Sequence, residues 1–400
     1  MISAGAETQA QDLDHYLNTA LKSSPLLKDL NNQIAAGKLD SLRLRAGLRP
    51  QVTGNGMGTY APVINNFGYA AAITNGQTLS ALVGVNQAII NKNYLAAQLD
   101  ALKLSKDSLG NSIRLSQQDL KKAITTQYIT AYGSLLQYRF SHEIVELLSQ
   151  EEDLLKKLTR NNVYKQADYL TFLVTLKQQQ LTQYQARLQY KTDLTTLNYL
   201  SGIADTTIID IQDPNLQPSF PTDVRTSIFY QQFKTDSIRL QNNRKLIDYS
   251  YKPKLNAFAD GGYNTDFSYQ PYKNFGTSVG ISLSVPIYDG GQRKLQQKKI
   301  DLEENTRQNY KSFFSTQYRQ QIAQLNQQIS DNAGLEAQIK EQFKYSESLI
   351  KVDAQLLETG DVRVADLILA LNNYLAVKNL LTQTNISKLQ LINQLNYWNK

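Results

Sequence analysis

Phe275-Gly276-Thr277-Ser278-Val279-Gly280-Ile281-Ser282-Leu283-Ser284-Val285-Pro286-Ile287 carries its large side chains at odd positions and small or polar residues at even ones. A period of two sends these sets to opposite faces of a strand, one apolar and one polar. Proline has no N–H to give a ladder, so pairing is expected to stop near Pro286. Tyr288-Asp289-Gly290-Gly291 follows, and its glycines permit a sharp turn into the helical pattern of 291–357.

The same plan occurs twice along the chain. Leu48-Arg49-Pro50-Gln51-Val52 resembles Tyr251-Lys252-Pro253-Lys254-Leu255 at an offset of 253 − 50 = 203. Val83-Gly84-Val85 through Ile89 matches Val279-Gly280-Ile281 through Ile287 at 287 − 89 = 198, and Asn162-Val163 through Asp168 matches Gly360-Asp361 through Asp366 at 360 − 162 = 198. Equal spacing between the last two landmarks says that one rigid element was built twice. The division expected is a first repeat over 1–204, an inter-repeat segment over 205–222, and a second repeat over 223–400. Each half reads helix, strand, strand, long helix, helix. Strands are expected at about 50–61, 78–90, 253–265 and 275–287, and helices at 11–47, 92–160, 165–200, 223–250, 291–357 and 362–398.

The long helices read as coiled coil. Ile322, Leu325, Ile329, Asn332, Glu336, Ile339, Phe343, Ser346, Ile350, Asp353 and Leu357 step by three and four, and Leu95, Leu99, Leu102, Leu109, Ile113 and Leu120 keep a similar register. That period means helices packed lengthwise. At about 1.5 Å per residue each spans on the order of 100 Å, which suits a tube better than a compact domain.

Leu79, Ala81, Val83 and Val85 repeat the apolar alternation, and the glycine-rich strands 50–61 and 253–265 complete two pairs. Tyr60, Phe67 and Tyr69 lie in the first loop, with Phe267, Tyr269, Tyr272 and Phe275 in or beside the second. Alternating strands rimmed by aromatics suit a transmembrane barrel. Four strands cannot close around a lumen, since open edges in lipid leave backbone groups unsatisfied. A homotrimer supplying twelve strands is the simplest closed wall. The competing reading is a soluble, elongated coiled-coil scaffold with small β caps.

Other classes are disfavoured. No run of about 18 apolar residues occurs, so no helix is expected to cross a membrane by hydropathy. The net charge of +7 is spread among interleaved acids, with no basic stripe for nucleic acid. There is no cysteine, and His15 and His142 each stand alone, so neither a metal site, a cofactor site nor a nucleophile is expected. Gly54-Asn55-Gly56-Met57-Gly58 lacks the following helix that a phosphate loop needs. Met1–Gln11 lacks an export signal, which is expected to have been removed already.

With these landmarks, the chain resembles the TolC-like outer-membrane factor family over about residues 12–398. The signatures are Arg49-Pro50-Gln51, Lys252-Pro253-Lys254, the run Val285-Pro286-Ile287-Tyr288-Asp289-Gly290-Gly291, and two helix-turn-helix tips, Asn161-Asn162-Val163-Tyr164-Lys165-Gln166-Ala167-Asp168-Tyr169 and Thr359-Gly360-Asp361-Val362-Arg363-Val364-Ala365-Asp366-Leu367. The Pro-Ile-Tyr-Asp-Gly-Gly run and the Thr-Gly…Asp-Leu tip are specific when taken together. Pro50, Pro253 and Pro286 serve as structural turns with Gly290 and Gly291.

The resemblance implies a non-enzymatic homotrimer: a 12-stranded β-barrel in the outer membrane of a Gram-negative bacterium on a long α-helical barrel reaching into the periplasm. The inter-repeat segment would lie near its equator. It would be the exit duct of a tripartite efflux or type I secretion system, meeting a periplasmic adaptor and through it an inner-membrane transporter. Drug efflux, protein secretion and metal export share such an exit. Asp168 and Asp366 match the acids that ring the closed aperture, although Leu369 stands where a second acid is sometimes found. Arg363 lies beside the position of a gating arginine. Asn161, Asn162, Val163, Lys165, Gln166, Thr359, Gly360, Asp361 and Arg363 are the candidate adaptor contacts. The plainer reading of each aspartate is an acid favouring the positive end of its helix.

Overall fold

The computed structural model describes residues 11–70, 76–220, 223–266 and 270–400. The N-terminal stretch read above lies outside these residues except for Gln11, as do Phe267 and Tyr269. Element order is α1 (Leu13–Ser23), α2 (Pro25–Ala46), β1 (Gln51–Tyr60), β2 (Gln77–Ile89), α3 (Lys92–Arg160), α4 (Gln166–Ser201), α5 (Ile228–Ser250), β3 (Lys254–Thr265), β4 (Phe275–Ser284), α6 (Gln292–Thr359) and α7 (Val364–Trp398).

Three expected elements come out differently, each for a local reason. The helix expected over 11–47 is broken at Ser24. Pro25 pushes the residue before it out of the helical region, and Ser24 adopts ψ 116°. The Ser24 hydroxyl then accepts from the Leu27 N–H at 3.4 Å, and α2 begins on proline, which needs no N–H there. The helix expected from 223 begins at Ile228, because the Asp223 carboxylate holds the Arg225 N–H at 3.0 Å in a turn. The fourth strand ends at Ser284, two residues before Pro286.

Two compact units emerge, and each draws on both halves of the sequence. One comprises residues up to Asp29, Ile113–Tyr230 and Phe313–Lys400; the other comprises Leu30–Ser112 and Gln231–Ser312.

The first unit is helical. One of its cores joins Phe140, Ile144, Leu148 and Leu155 of α3, Phe172 and Leu176 of α4, Ile350 and Leu357 of α6, and Val364, Leu367 and Leu371 of α7. A second core gathers Tyr16 and Ala20 of α1 with Ile124, Tyr128, Leu135, Tyr190 and Leu194. The segment after α4 seals it. Ile211 is buried there, and the Tyr128 hydroxyl donates to the Gln212 carbonyl at 2.8 Å. Helix α7 corrects one expectation, because an 18-residue window of it reaches a mean hydropathy of 1.2, enough to cross a membrane by composition. Its apolar content instead supplies the first of these cores, through Val364, Leu367 and Leu371, and Ala370 and Val377 are buried with them.

The second unit is built on an antiparallel sheet of order β1-β2-β3-β4, in which β1 and β4 are edges. In its helices the buried positions among the described residues are Leu30, Ala97, Leu104, Leu240, Asn242 and Ile300. Leu95, Leu99, Leu102 and Leu109, expected to form the seam, are only half-buried. Small Ala97 takes the close-packed place, and the Asn242 side-chain amide donates to its carbonyl at 2.9 Å.

Candidate functional site

The register sorts the sheet's side chains into a strongly apolar face and a mostly polar one. Val52, Gly54, Gly56 and Gly58 of β1 face Val85, Val83, Ala81 and Leu79 of β2; these lie beside Ala259, Gly261, Tyr263 and Thr265 of β3. Leu255, Ala257 and Ala259 then pair with Leu283, Ile281 and Val279 of β4. All of these share one face. The other face carries Thr53, Asn55, Ser80, Asn86, Asn256, Asp260, Ser278, Ser282 and Ser284, with Met57, Leu82 and Phe258 set among them. The glycine-rich run at 54–58 is therefore strand, with small residues on the apolar face.

That apolar face is uncovered. Val279 is 83% exposed, Ile281 71% and Leu283 66%, with Val52, Leu79 and Val83 exposed beside them. Leaving one such side chain in water costs about 1.5–3 kcal/mol relative to burial. Six of them rival the whole stability of an ordinary domain. Tyr60, Phe67, Tyr69, Tyr272 and Phe275 are likewise exposed at the loop end. Among the described residues the sheet has neither a cover nor, at β1 and β4, a partner for its edges.

The strand-to-helix passages are capped in matching ways. Gly290 and Gly291 both adopt positive φ, at 66° and 85°. The Asp289 carboxylate accepts from the N–H groups of Gly291 at 2.8 Å and Arg293 at 2.7 Å, which closes the start of α6 and lowers its own pKa. Asn91, at 289 − 198 = 91, does the same for α3 by accepting from the Asn93 N–H at 2.8 Å. Pro50 and Pro253 each stand immediately before a strand.

The two helix-turn-helix tips are near copies. Asn162 has φ 59° and Gly360 φ 81°. In the first tip the Val163 N–H donates to the Leu158 carbonyl at 3.0 Å and Asn162 N–H to Thr159 at 3.1 Å; in the second Asp361 donates to Leu356 at 3.0 Å and Gly360 to Leu357 at 3.3 Å. Both are left-handed helix ends of one kind. Asparagine thus makes the turn that glycine makes in the other tip.

The tips also touch. A side chain on Gly360 would come within 2.7 Å of Val163 Cγ1. Buried Tyr164 donates its hydroxyl to the Val362 carbonyl at 2.8 Å, and the Leu357 carbonyl lies 3.4 Å away. The resulting surface presents Asn161, Asn162, Val163, Lys165, Gln166, Thr359, Gly360, Asp361 and Arg363, all exposed. Tyr164, the residue that joins the tips, was not singled out in the sequence; its partners are backbone atoms, which leave no trace in composition.

Asp168 and Asp366 occupy the same place in their helices but differ in partner. The Asp168 carboxylate accepts the Lys165 backbone N–H at 3.2 Å, which is half of a capping box. The Asp366 carboxylate instead takes the Arg363 guanidinium in a fork, at 2.7 and 2.8 Å. That fork holds the Asp366 carboxyl below its usual range. Two further acids lie nearby. Burial, then the charge of Glu358, raises the pKa of Glu151, whose Oε2 is buried without a hydrogen-bond partner; burial, then Asp366, raises that of Asp353.

Two apolar stripes on the helical unit find no partner among the described residues. On α4, Leu170, Val174, Lys177, Leu181, Tyr184 and Leu188 step by four and three and all are exposed. On α6, Leu335, Gln338, Gln342, Tyr345, Leu349, Val352 and Leu356 do the same. The stripe expected on α6 lies one position further on, and its Leu325, Ile339, Ile350 and Leu357 are buried inside the chain. The helix therefore bears two heptad seams, one filled and one open.

No protein-family model matches the sequence, and no curated protein matches it. Solved structures do. CusC, described by its conformational changes on folding and transmembrane channel formation, superposes with a TM-score of 0.78 at 11% identity, covering 100% of this chain and 95% of that one. VceC, an outer-membrane protein of Vibrio cholerae, gives 0.75 at 12% identity with 97% and 96% covered. The MtrE outer-membrane channel of Neisseria gonorrhoeae in its open state gives 0.75 at 10% identity, with 96% and 88% covered. These neighbours are TolC-family outer-membrane channels, and the chain has their mainly helical fold with its small antiparallel sheet.

Proposed function

We propose that this chain is one protomer of a trimeric exit duct in an outer membrane, a passive conduit and not an enzyme. The observation that carries the reading is the uncovered sheet. One of its faces is apolar and exposed, the other is mostly polar, and both edges are open among the described residues. Lipid covers such a face at no cost, whereas the open edges in lipid demand further strands. Three copies give twelve strands, with the apolar residues outward and the polar ones lining the lumen. A soluble scaffold would leave that apolar surface in water.

The open helical seams support the same assembly. The tips lie side by side, α4 leaves its tip and α6 approaches its own, so the two seams run antiparallel. Counting from the tips brings Leu170 level with Leu356, Val174 with Val352 and Leu181 with Tyr345. The α4 seam of one copy would pack on the α6 seam of the next, closing an α-barrel.

Beneath that barrel the exposed tip residues would receive a periplasmic adaptor, itself coupled to an inner-membrane transporter of an efflux or type I secretion system. Three copies of Asp168 and Asp366 would set carboxylates around the mouth and favour cations. The Arg363 fork makes the two sets unequal, with Asp168 carrying the uncompensated charge. The test is conductance in planar bilayers. Wild type should form long-lived channels with cation preference, and Asp168→Asn should reduce that preference more than Asp366→Asn. Absence of channels would overturn the duct; unchanged selectivity in the double variant would overturn the aperture role.

A further inference from the structure

At the helix end of the sheet, where β2 and β4 run out and β3 begins, there is a cavity of about 380 Å³. This is within the range of roughly 300–1,000 Å³ usual for small-molecule sites. Its lining includes Tyr94, Tyr249, Lys252, Lys254, Asn256 and Ser282. Lys254, Asn256 and Ser282 belong to the polar face by register. Tyr249 and Tyr94 meet edge to face, with ring centroids 6.5 Å apart, and Lys252 Nζ stands 4.7 Å from the Tyr249 ring centroid. Among the described residues no carboxylate lines the cavity, and neither lysine forms an ion pair. The nearest acid along α5, Asp248, is held by Arg293 and Gln297, each at 2.8 Å.

Two ammonium groups without counter-charge, set beside a wall of tyrosine rings, form a site asking for a negative charge on a planar apolar body. We infer that this cavity binds small aromatic organic anions, carboxylates or sulfonates, with Lys252 and Lys254 on the charge and Tyr94 and Tyr249 against the ring. Its placement on the conduit's inner wall rests on the duct reading above; the binding chemistry does not. In the trimer, three such sites would ring the entrance to the barrel. They would give the conduit a station for anions beyond any cation-favouring aperture.

The probe is 2-naphthoate, titrated calorimetrically into the full-length detergent-solubilised protein, with neutral 2-naphthol and inorganic phosphate alongside. Saturable naphthoate binding is expected, with 2-naphthol and phosphate each at least tenfold weaker. Lys252→Gln with Lys254→Gln should weaken naphthoate at least tenfold, Tyr249→Leu should weaken it similarly, and Lys252→Arg should retain it. Thermal melts matching wild type show that these surface variants are folded. Equal affinity in wild type and the double lysine variant, or no binding by wild type, overturns the proposal. The same preparations are tested for channels in bilayers: channels without naphthoate binding count against the pocket alone, and naphthoate binding without channels counts against the duct alone.

Discussion

Asn162 and Gly360 face the same demand, a left-handed φ at the end of a long helix, and meet it differently. At Gly360 the demand is doubled, because Val163 Cγ1 leaves no room for a side chain. Gly360→Ala should cost about 1–2 kcal/mol from the backbone conformation alone, with a steric addition, and should lower the midpoint of thermal unfolding. Asn162→Gly should leave it within a degree or two. Tyr164→Phe removes the hydroxyl that ties the tips and should cost about 1 kcal/mol. Glu151 gives a pH signature. Its folded pKa is raised, so the folded state holds its proton more tightly than the unfolded state and stability rises as pH falls through the folded value. Glu151→Gln should therefore raise the melting temperature at neutral pH, and this gain should vanish below about pH 4, near the unfolded glutamate value. A gain independent of pH would contradict this. Residue roles of this kind were only partly legible in sequence. The tips stood out because two left-handed residues recur 198 apart, but the Tyr164 bonds and the Arg363 fork depend on three-dimensional proximity.

At the scale of elements, alternation and heptads exposed most of the architecture, while exact ends followed from caps. Ser24-Pro25 splits one expected helix in two, because proline forces the residue before it out of helical geometry, and the Asp223 turn cuts back the start of another. The open seams were harder to see. A helix bearing two adjacent apolar stripes does not declare which one its own chain will cover; on α6 the buried Ile350 and Leu357 settle it only once folded. The chain has no cysteine, so paired substitutions read the seams directly. Val174→Cys with Val352→Cys should cross-link copies under mild oxidation, whereas each single variant should not join through this seam. On the sheet, Ile281→Lys would set a charge on the face proposed to meet lipid and should cost about 2–4 kcal/mol near the bilayer midplane. Ser282→Lys, on the opposite face, should be tolerated. Equal loss of membrane incorporation by the two variants would contradict the assignment of faces.

For the molecule as a whole, the repeated plan was legible because two landmarks kept one offset across both halves. The resemblance to the TolC-like channels then pointed to the fold that the solved structures share. What one chain cannot supply is its own completion: a sheet with two bare edges and one bare apolar face, and two helices with empty seams. On the proposed reading these deficits are complementary, and other copies of the same chain would remove them together. Single-particle imaging of the detergent-solubilised protein tests this most directly. A three-fold particle of about 136 kDa of protein, three times 45.2 kDa, is expected, with a closed twelve-stranded wall and a helical tube. A monodisperse monomer, stable without detergent and showing no cylinder, would contradict it.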